Sequence, residues 1–287
     1  MMSETSTIFS ETDSQPAPIG IFDSGYGGLT ILEQIRKELP AYDYLYLGDN
    51  ARTPYGTRSF EVVYKYTLEC VKYLFDRGCR LIILACNTAS AKALRTIQQN
   101  DLPNIAPGRR VLGVIRPTIE KIGELTKTNH IGLMATLGTV QSDSYPLEIQ
   151  KLYPEIEITS QACPLLVPLI ENNEHNTAGA EYFIKKYVDS LMAFDNKIDN
   201  VILGCTHYPL VAKQIKNYLP ENVSILAQGE LVAKSLADYL QRHSEIEKKC
   251  SKNGTCHYLT TENSDKFSVS ASIFLLEKIE AEHVELK

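Results

Sequence analysis

Two stretches constrain this chain more than any others. Residues 80–89 read RLIILACNTA and residues 200–209 read NVILGCTHYP. Each is a short aliphatic run, then a small residue, then cysteine, then side chains that can hydrogen-bond. An aliphatic run bounded by polar turns fits a strand buried on both faces, as in parallel sheets. Parallel strands need a crossover between them, normally a helix. The chain is therefore expected to build α/β layers, with Cys86 and Cys205 at the same strand-to-helix point of two matching units.

The remaining sequence keeps the alternation. Strands are expected at 18–22, 44–47, 81–85, 111–115, 131–135, 156–161, 201–204, 223–227 and 255–259. Helices are expected at 29–39, 59–76, 89–99, 118–125, 140–152, 178–194, 230–241 and 266–278, with one more after Pro209. Leu29, Leu32, Ile35 and Leu39, for example, recur at a helical period that Pro40 ends. Residues 102–110 hold two prolines and a glycine and read as a linker. Residues 243–253 read as a charged, solvated linker. Strand–helix alternation of this kind gives mainly parallel sheets.

Composition narrows the class. At 287 residues the chain is near the limit for a single core, so two domains are expected. A net charge of -6 argues against a general nucleic-acid binder. No apolar run approaches the roughly 20 residues that span a bilayer. The seven cysteines are odd in number and lack CxxC spacing, which suits neither a disulfide framework nor a zinc site. A reducing cytoplasm and no metal are the expectation. Residues 1–17 are polar and acidic without Arg or Lys. They fit neither a secretory signal nor a basic transit peptide, and are expected to be a disordered tail.

In open α/β sheets ligands sit where strands end and helices begin. Four polar loops should meet there, starting at Asp23, Asp49, Cys86 and Cys205. Cys70, Cys79, Cys163, Cys250 and Cys256 read as small core residues. Cys86 and Cys205 differ because each precedes a helix N-terminus, where N–H groups and the helix dipole favour thiolate. Asn87, Thr88, Thr206 and His207 add donors beside the two sulfurs.

Two thiols at one site suit inversion of a carbon centre. One removes a proton from one face while the other delivers a proton to the opposite face, so each needs a pKa near working pH. Asp23, at a strand end, could serve the same site; Ser24, Gly25, Gly27 and Gly28 are explained equally by a capped turn. Their spacing is not GxGxxG, so dinucleotide binding gains little. Pro54-Tyr55-Gly56 fits a rigid turn as well as a substrate clamp. Glu171, after an apolar run, reads by pattern alone as a surface carboxylate. A cysteine hydrolase pairing Cys205 with His207 is a competing reading. It is disfavoured because residues two apart on a strand-end turn do not naturally face each other, and because Cys86 would be unused. A non-catalytic amino-acid binder would need neither sulfur.

The stretches IGIFDSGYGGLTIL, GDNARTPYG, ACNTASA, CPLLVPLIE and GCTHYPL, in this order, resemble the motifs of glutamate racemases. The resemblance covers about residues 18–241. The His in GCTHYP sets it apart from aspartate racemases, which typically have Glu there. The resemblance implies two facing α/β domains related by a pseudo-twofold, with the active site in the cleft between them. The first domain would be discontinuous, 18–108 plus about 224–287, and the second would be 109–223. The implied reaction interconverts L- and D-glutamate without pyridoxal phosphate, metal or other cofactor, supplying D-glutamate for peptidoglycan.

By this match Cys86 and Cys205 would be the acid/base thiols, assisted by Asp23 and His207 respectively. Ser24, Pro54, Tyr55, Gly56, Asn87, Thr88 and Thr206 would hold the substrate, with Thr136 and Glu171 at less exact motif positions. The family's usual Gly-Thr is Ala135-Thr136 here. A homodimer is implied, and activation by a peptidoglycan precursor is a property of some longer members.

Overall fold

The computed structural model describes residues 15–275 and 277–286. Its strands are β1 (Ile19–Asp23), β2 (Tyr44–Gly48), β3 (Leu81–Leu84), β4 (Arg110–Gly113) and β5 (His130–Ala135). They continue as β6 (Glu157–Ala162), β7 (Asn200–Gly204), β8 (Ser224–Leu226), β9 (Cys256–Thr260) and β10 (Ala281–His283). They form a mixed α/β structure with one sheet in the order β10-β9-β2-β1-β3-β4 and another in the order β6-β5-β7-β8. Every ladder between these strands is parallel. β1, β2, β3 and β7 are buried along their whole length, which is why they read as mainly apolar stretches rather than alternating ones.

The second sheet repeats four consecutive strands of the first, from β2 to the β4 edge. β2-β1-β3-β4 and β6-β5-β7-β8 have the same order, so β3 corresponds to β7 and β1 to β5. Helices cover the layers by the expected periodicity. In Gly28–Glu38 the buried residues Leu29, Ile31, Leu32 and Ile35 make one stripe. Phe60–Asp76 starts at Ser59, whose hydroxyl accepts from the Val62 N–H. Among the described residues no helix is long and apolar enough to cross a membrane.

Several expectations are corrected. β4 pairs with β3 in the first sheet, so residues 110–113 do not begin the second unit; its first strand is β5. The Pro/Gly-rich stretch before β4 contains a helical turn, Leu102–Ile105, with Pro103 tolerated in its first turn. β8 pairs with β7, so residues 224–226 belong to the second sheet rather than to the returning segment. The expected helix 140–152 is broken at Asp143, which takes a positive φ of 52° between Leu137–Gln141 and Ser144–Leu152.

Residues 1–14 of the expected tail lie outside the described residues, but Ala17 is buried. It bridges Cys250, donating to the Lys249 carbonyl and accepting from the Ser251 N–H, both at 2.9 Å. The stretch 243–253 is accordingly not a free linker: it holds the helix Ser244–Glu247 and buries Ile246 and Cys250. β10 was not anticipated, because Ala281-Glu282-His283 is a short, largely polar edge strand.

Candidate active site

Six strand ends converge on one cavity of about 50 Å³. At roughly 10–15 Å³ per water, that is room for a few waters or one small solute. Ser24 follows β1, Thr53–Thr57 follow β2, and Cys86, Asn87 and Thr88 follow β3. From the second sheet come Thr136 and Leu137 after β5, Pro164, Val167 and Pro168 after β6, and Cys205, Thr206 and His207 after β7. The two cysteines thus reach one cavity from equivalent strands of two sheets.

The surroundings of the sulfurs differ. Cys86 caps the helix Asn87–Lys92, its Sγ accepting from the Ala89 N–H at 3.4 Å, and lies 3.3 Å from the Ser24 hydroxyl. Burial, reinforced by the Asp23 carboxylate, pushes the Cys86 thiol up to about 12, against the opposing pull of Ser24 and the Ala89 N–H. This corrects the expectation of a favoured thiolate: one short helix does not offset the loss of water and a neighbouring anion. Cys205 instead faces an imidazole, with His207 Nδ1 at 3.8 Å from its Sγ. The far ring nitrogen, Nε2, lies 2.9 Å from Glu171 Oε1. Burial disfavours the imidazolium, but Cys205 and Glu171 outweigh it and hold His207 well above the ordinary histidine range. The argument that Cys205 and His207 would not face each other is therefore overturned, because the chain turns tightly after β7.

Asp23 is buried beneath these groups. Its Oδ2 accepts from the Gly25 N–H at 2.9 Å, while Oδ1 has no partner among the described residues. Burial raises its pKa, and His207 and the N–H groups of Gly28 and Gly25 oppose the rise. Gly27 is the point where the helix after β1 meets the opposite loop. A Cβ there would lie 2.3 Å from His207 Nδ1, so only glycine allows the approach.

Bonds across the cavity join the sheets. The Thr88 and Thr136 hydroxyls lie 2.9 Å apart, and the Gly138 N–H donates to the Gly56 carbonyl at 2.7 Å. On the opposite side of the loop, Tyr55 donates its hydroxyl to Asp49, which also binds Arg52 Nε at 2.7 Å and the Thr261 hydroxyl at 2.9 Å. Tyr55 therefore lines the cavity while its polar end anchors the loop.

The profile of the Asp/Glu/Hydantoin racemase family matches residues 24–261. The chain belongs to this family. A glutamate racemase from Ruegeria sp. (strain TM1040) is 41% identical over 271 residues, spanning 91% of this chain and 97% of its own. The crystal structure of glutamate racemase from Francisella tularensis in complex with D-glutamate superposes with a TM-score of 0.83 at 34% identity, covering 96% and 98% of the two chains. That of the Escherichia coli enzyme, in complex with L-glutamate and the activator UDP-MurNAc-ala, gives 0.73 at 25% identity over 90% and 96%.

In this member of the racemase family the sequence-selected residues Ser24, Pro54, Tyr55, Gly56, Cys86, Asn87, Thr88, Thr136, Cys205, Thr206 and His207 all line the cavity. Asp23 and Glu171 do not. They stand behind it, Glu171 bonded to His207 and Asp23 acting on Cys86 and His207 through charge. Six lining residues were missed: Thr53, Thr57, Leu137, Pro164, Val167 and Pro168. Thr53 and Thr57 flank the selected Pro-Tyr-Gly, Leu137 follows Thr136, and the other three lie inside CPLLVPLIE. Their adjacency to selected positions was the signal; their apolar or plain side chains gave no chemical one.

Proposed function

We propose that this protein is a glutamate racemase that interconverts L- and D-glutamate by two-thiol acid/base chemistry. The observation that carries the reading is that Cys86 and Cys205 enter one small cavity from two different sheets. One sulfur, as thiolate, takes the α-proton, leaving a carbanion beside the substrate carboxylate. The other, as thiol, returns a proton to the opposite face. The two sulfurs end with their protonation states exchanged, so each direction of reaction resets the other.

The high Cys86 pKa describes the substrate-free site. A bound ammonium group brings a positive charge beside that sulfur and favours its ionised form. The cationic His207, held by Glu171, gives Cys205 a positive neighbour through the cycle. The Asn87, Thr88 and Thr136 side chains are suited to the two carboxylates, supplying donors in a site that excludes bulk water.

Circular dichroism of L-glutamate with the purified protein and no added cofactor tests the reading. The signal should decay to zero, with deuterium entering the α-carbon in heavy water. Cys86→Ala and Cys205→Ala should each abolish interconversion while leaving the fold intact. A hydrolase built on Cys205 and His207 would instead survive loss of Cys86. Either single variant racemising at near wild-type rate would eliminate the two-thiol mechanism.

The biological role that fits is supply of D-glutamate for peptidoglycan in the cytoplasm, by a homodimer. Activation by a peptidoglycan precursor is part of the same proposal. It is supported by a second groove of about 640 Å³ between helices of both halves, where Arg95 and Arg242 offer positive charge to an anionic ligand beside Arg116 and Lys151, which pair with Glu120 and Glu148.

A further inference from the structure

Asn87, next to Cys86, is tied into a buried ring that reaches both halves of the molecule. Its Nδ2 donates to Gln228 Oε1 at 2.6 Å, and its Oδ1 accepts from the Tyr145 hydroxyl at 2.7 Å. Gln228 Nε2 closes the ring on the Tyr145 oxygen at 2.9 Å and also reaches the Thr118 hydroxyl at 2.7 Å and the Val114 carbonyl at 3.2 Å. All four side chains are almost fully buried. They come from four places: the start of the helix Asn87–Lys92, the helix Ile115–Leu125, the helix Ser144–Leu152, and the turn before Gly229–Arg242.

One backbone group sets the polarity of the whole ring. The Val114 carbonyl can only accept, and it already takes the Thr118 hydroxyl proton at 2.9 Å. Gln228 must therefore turn its amide nitrogen toward Val114 and Thr118, which leaves its carbonyl facing Asn87. Asn87 must then answer with its own nitrogen, and the Tyr145 hydroxyl must donate to Asn87 Oδ1. A flipped Asn87 would set carbonyl against carbonyl at one end, with no water to relieve it. One Nδ2 hydrogen of Asn87 is consumed by Gln228. The second is a donor that the ring does not use, on a residue that lines the cavity.

We propose that Gln228 is a positioning residue: through its carbonyl it fixes Asn87 as a hydrogen-bond donor toward a substrate carboxylate beside Cys86. This rests on the glutamate racemase reading. Without Gln228 the Asn87 amide can rotate and present its oxygen to an anion, so binding weakens in both directions of reaction. A contact made equally in ground and transition states moves KM more than kcat. A donor to a charged group is worth about one to two powers of ten in affinity.

The test is steady-state racemisation from both enantiomers by Gln228→Met, Asn87→Ala and the double variant. Gln228→Met is expected to raise both KM values by about 10–100-fold with a smaller change in kcat. In the Asn87→Ala background the same substitution should add nothing further. Tyr145→Phe, which removes a single hydroxyl from the ring, is the second variant should Gln228→Met fail to fold; its smaller rise in KM should also vanish without Asn87. Unchanged KM in the single variants, or an effect that persists undiminished in the Asn87→Ala background, would overturn the positioning role alone. Wild-type protein that does not racemise glutamate would overturn the functional reading as well.

Discussion

Replacing Gly27 with alanine would set a methyl carbon 2.3 Å from His207 Nδ1 and 2.4 Å from Thr206 Oγ1. The backbone itself would not object, since φ -59° and ψ -34° are ordinary for alanine. Taken alone, the loss of glycine's freedom in the unfolded chain would stabilise by about 0.4–1 kcal/mol. The contact reverses the sign. The imidazole cannot withdraw readily, because Glu171 holds its far nitrogen at 2.9 Å and the edge of its ring system meets Phe274 at a centroid distance of 5.5 Å. The helix cannot retreat freely either, since the Thr30 hydroxyl donates to the Thr206 carbonyl at 2.9 Å.

Overpacking of this kind costs about 1–3 kcal/mol, leaving a net loss centred near 1 kcal/mol. For a chain of this size that lowers Tm by roughly 2–4 °C per kcal/mol. Turnover should suffer more, because a shift of about 1 Å between His207 and Cys205 can cost on the order of 100-fold. Circular dichroism measures both, as a melting curve and as the decay of glutamate optical activity. Wild-type turnover with an unchanged or raised Tm would refute the steric argument.

Two further outcomes follow from the charges around the sulfurs. His207 is held above the ordinary value near 6.5, so its contribution to stability is complete below about pH 6.5 and is lost as pH rises through the folded value. Glu171→Gln removes one of the two groups that raise it, so the alkaline fall in Tm, which starts near pH 6.5 in both proteins, should be smaller and end at lower pH than in wild type. Coincident Tm profiles between pH 6 and 10 would contradict that linkage. For Cys86, a thiol pushed up to about 12 predicts iodoacetamide labelling, in the substrate-free protein at pH 8, roughly a thousandfold slower than for an ordinary thiol of pKa about 8.5. Peptide mass spectrometry should show the rate still climbing about tenfold per pH unit above pH 9; a plateau below that would refute the burial argument.

Much of this architecture was legible because parallel strands buried on both faces leave a strong mark. LIIL and NVILG could be little else, and the polar residues after them had to fall at the carboxyl ends of the sheets. What escaped has physical reasons. β4 and β8 were assigned to the wrong sheets because prolines and glycines mark where a chain turns, not which sheet it rejoins. Glu171 gave no sign in the residue pattern, since its value lies in a bond to His207, 36 residues onward. The Cys86 thiol was misjudged because a helix N-terminus is visible in sequence, whereas the burial and the Asp23 charge that overcome it are not.

The bonds that cross the cavity have a bearing on how a solute gets in. Around the cavity of about 50 Å³ the Thr88–Thr136 and Gly138–Gly56 hydrogen bonds hold the two rims together, and widening it for a larger ligand means breaking them. Two such bonds are worth only about 1–3 kcal/mol net. If they are the main restraint, roughly one molecule in six to one in 150 stands ajar at any instant. Entry then needs no separate trigger, and the apparent affinity for any ligand is reduced by that same fraction.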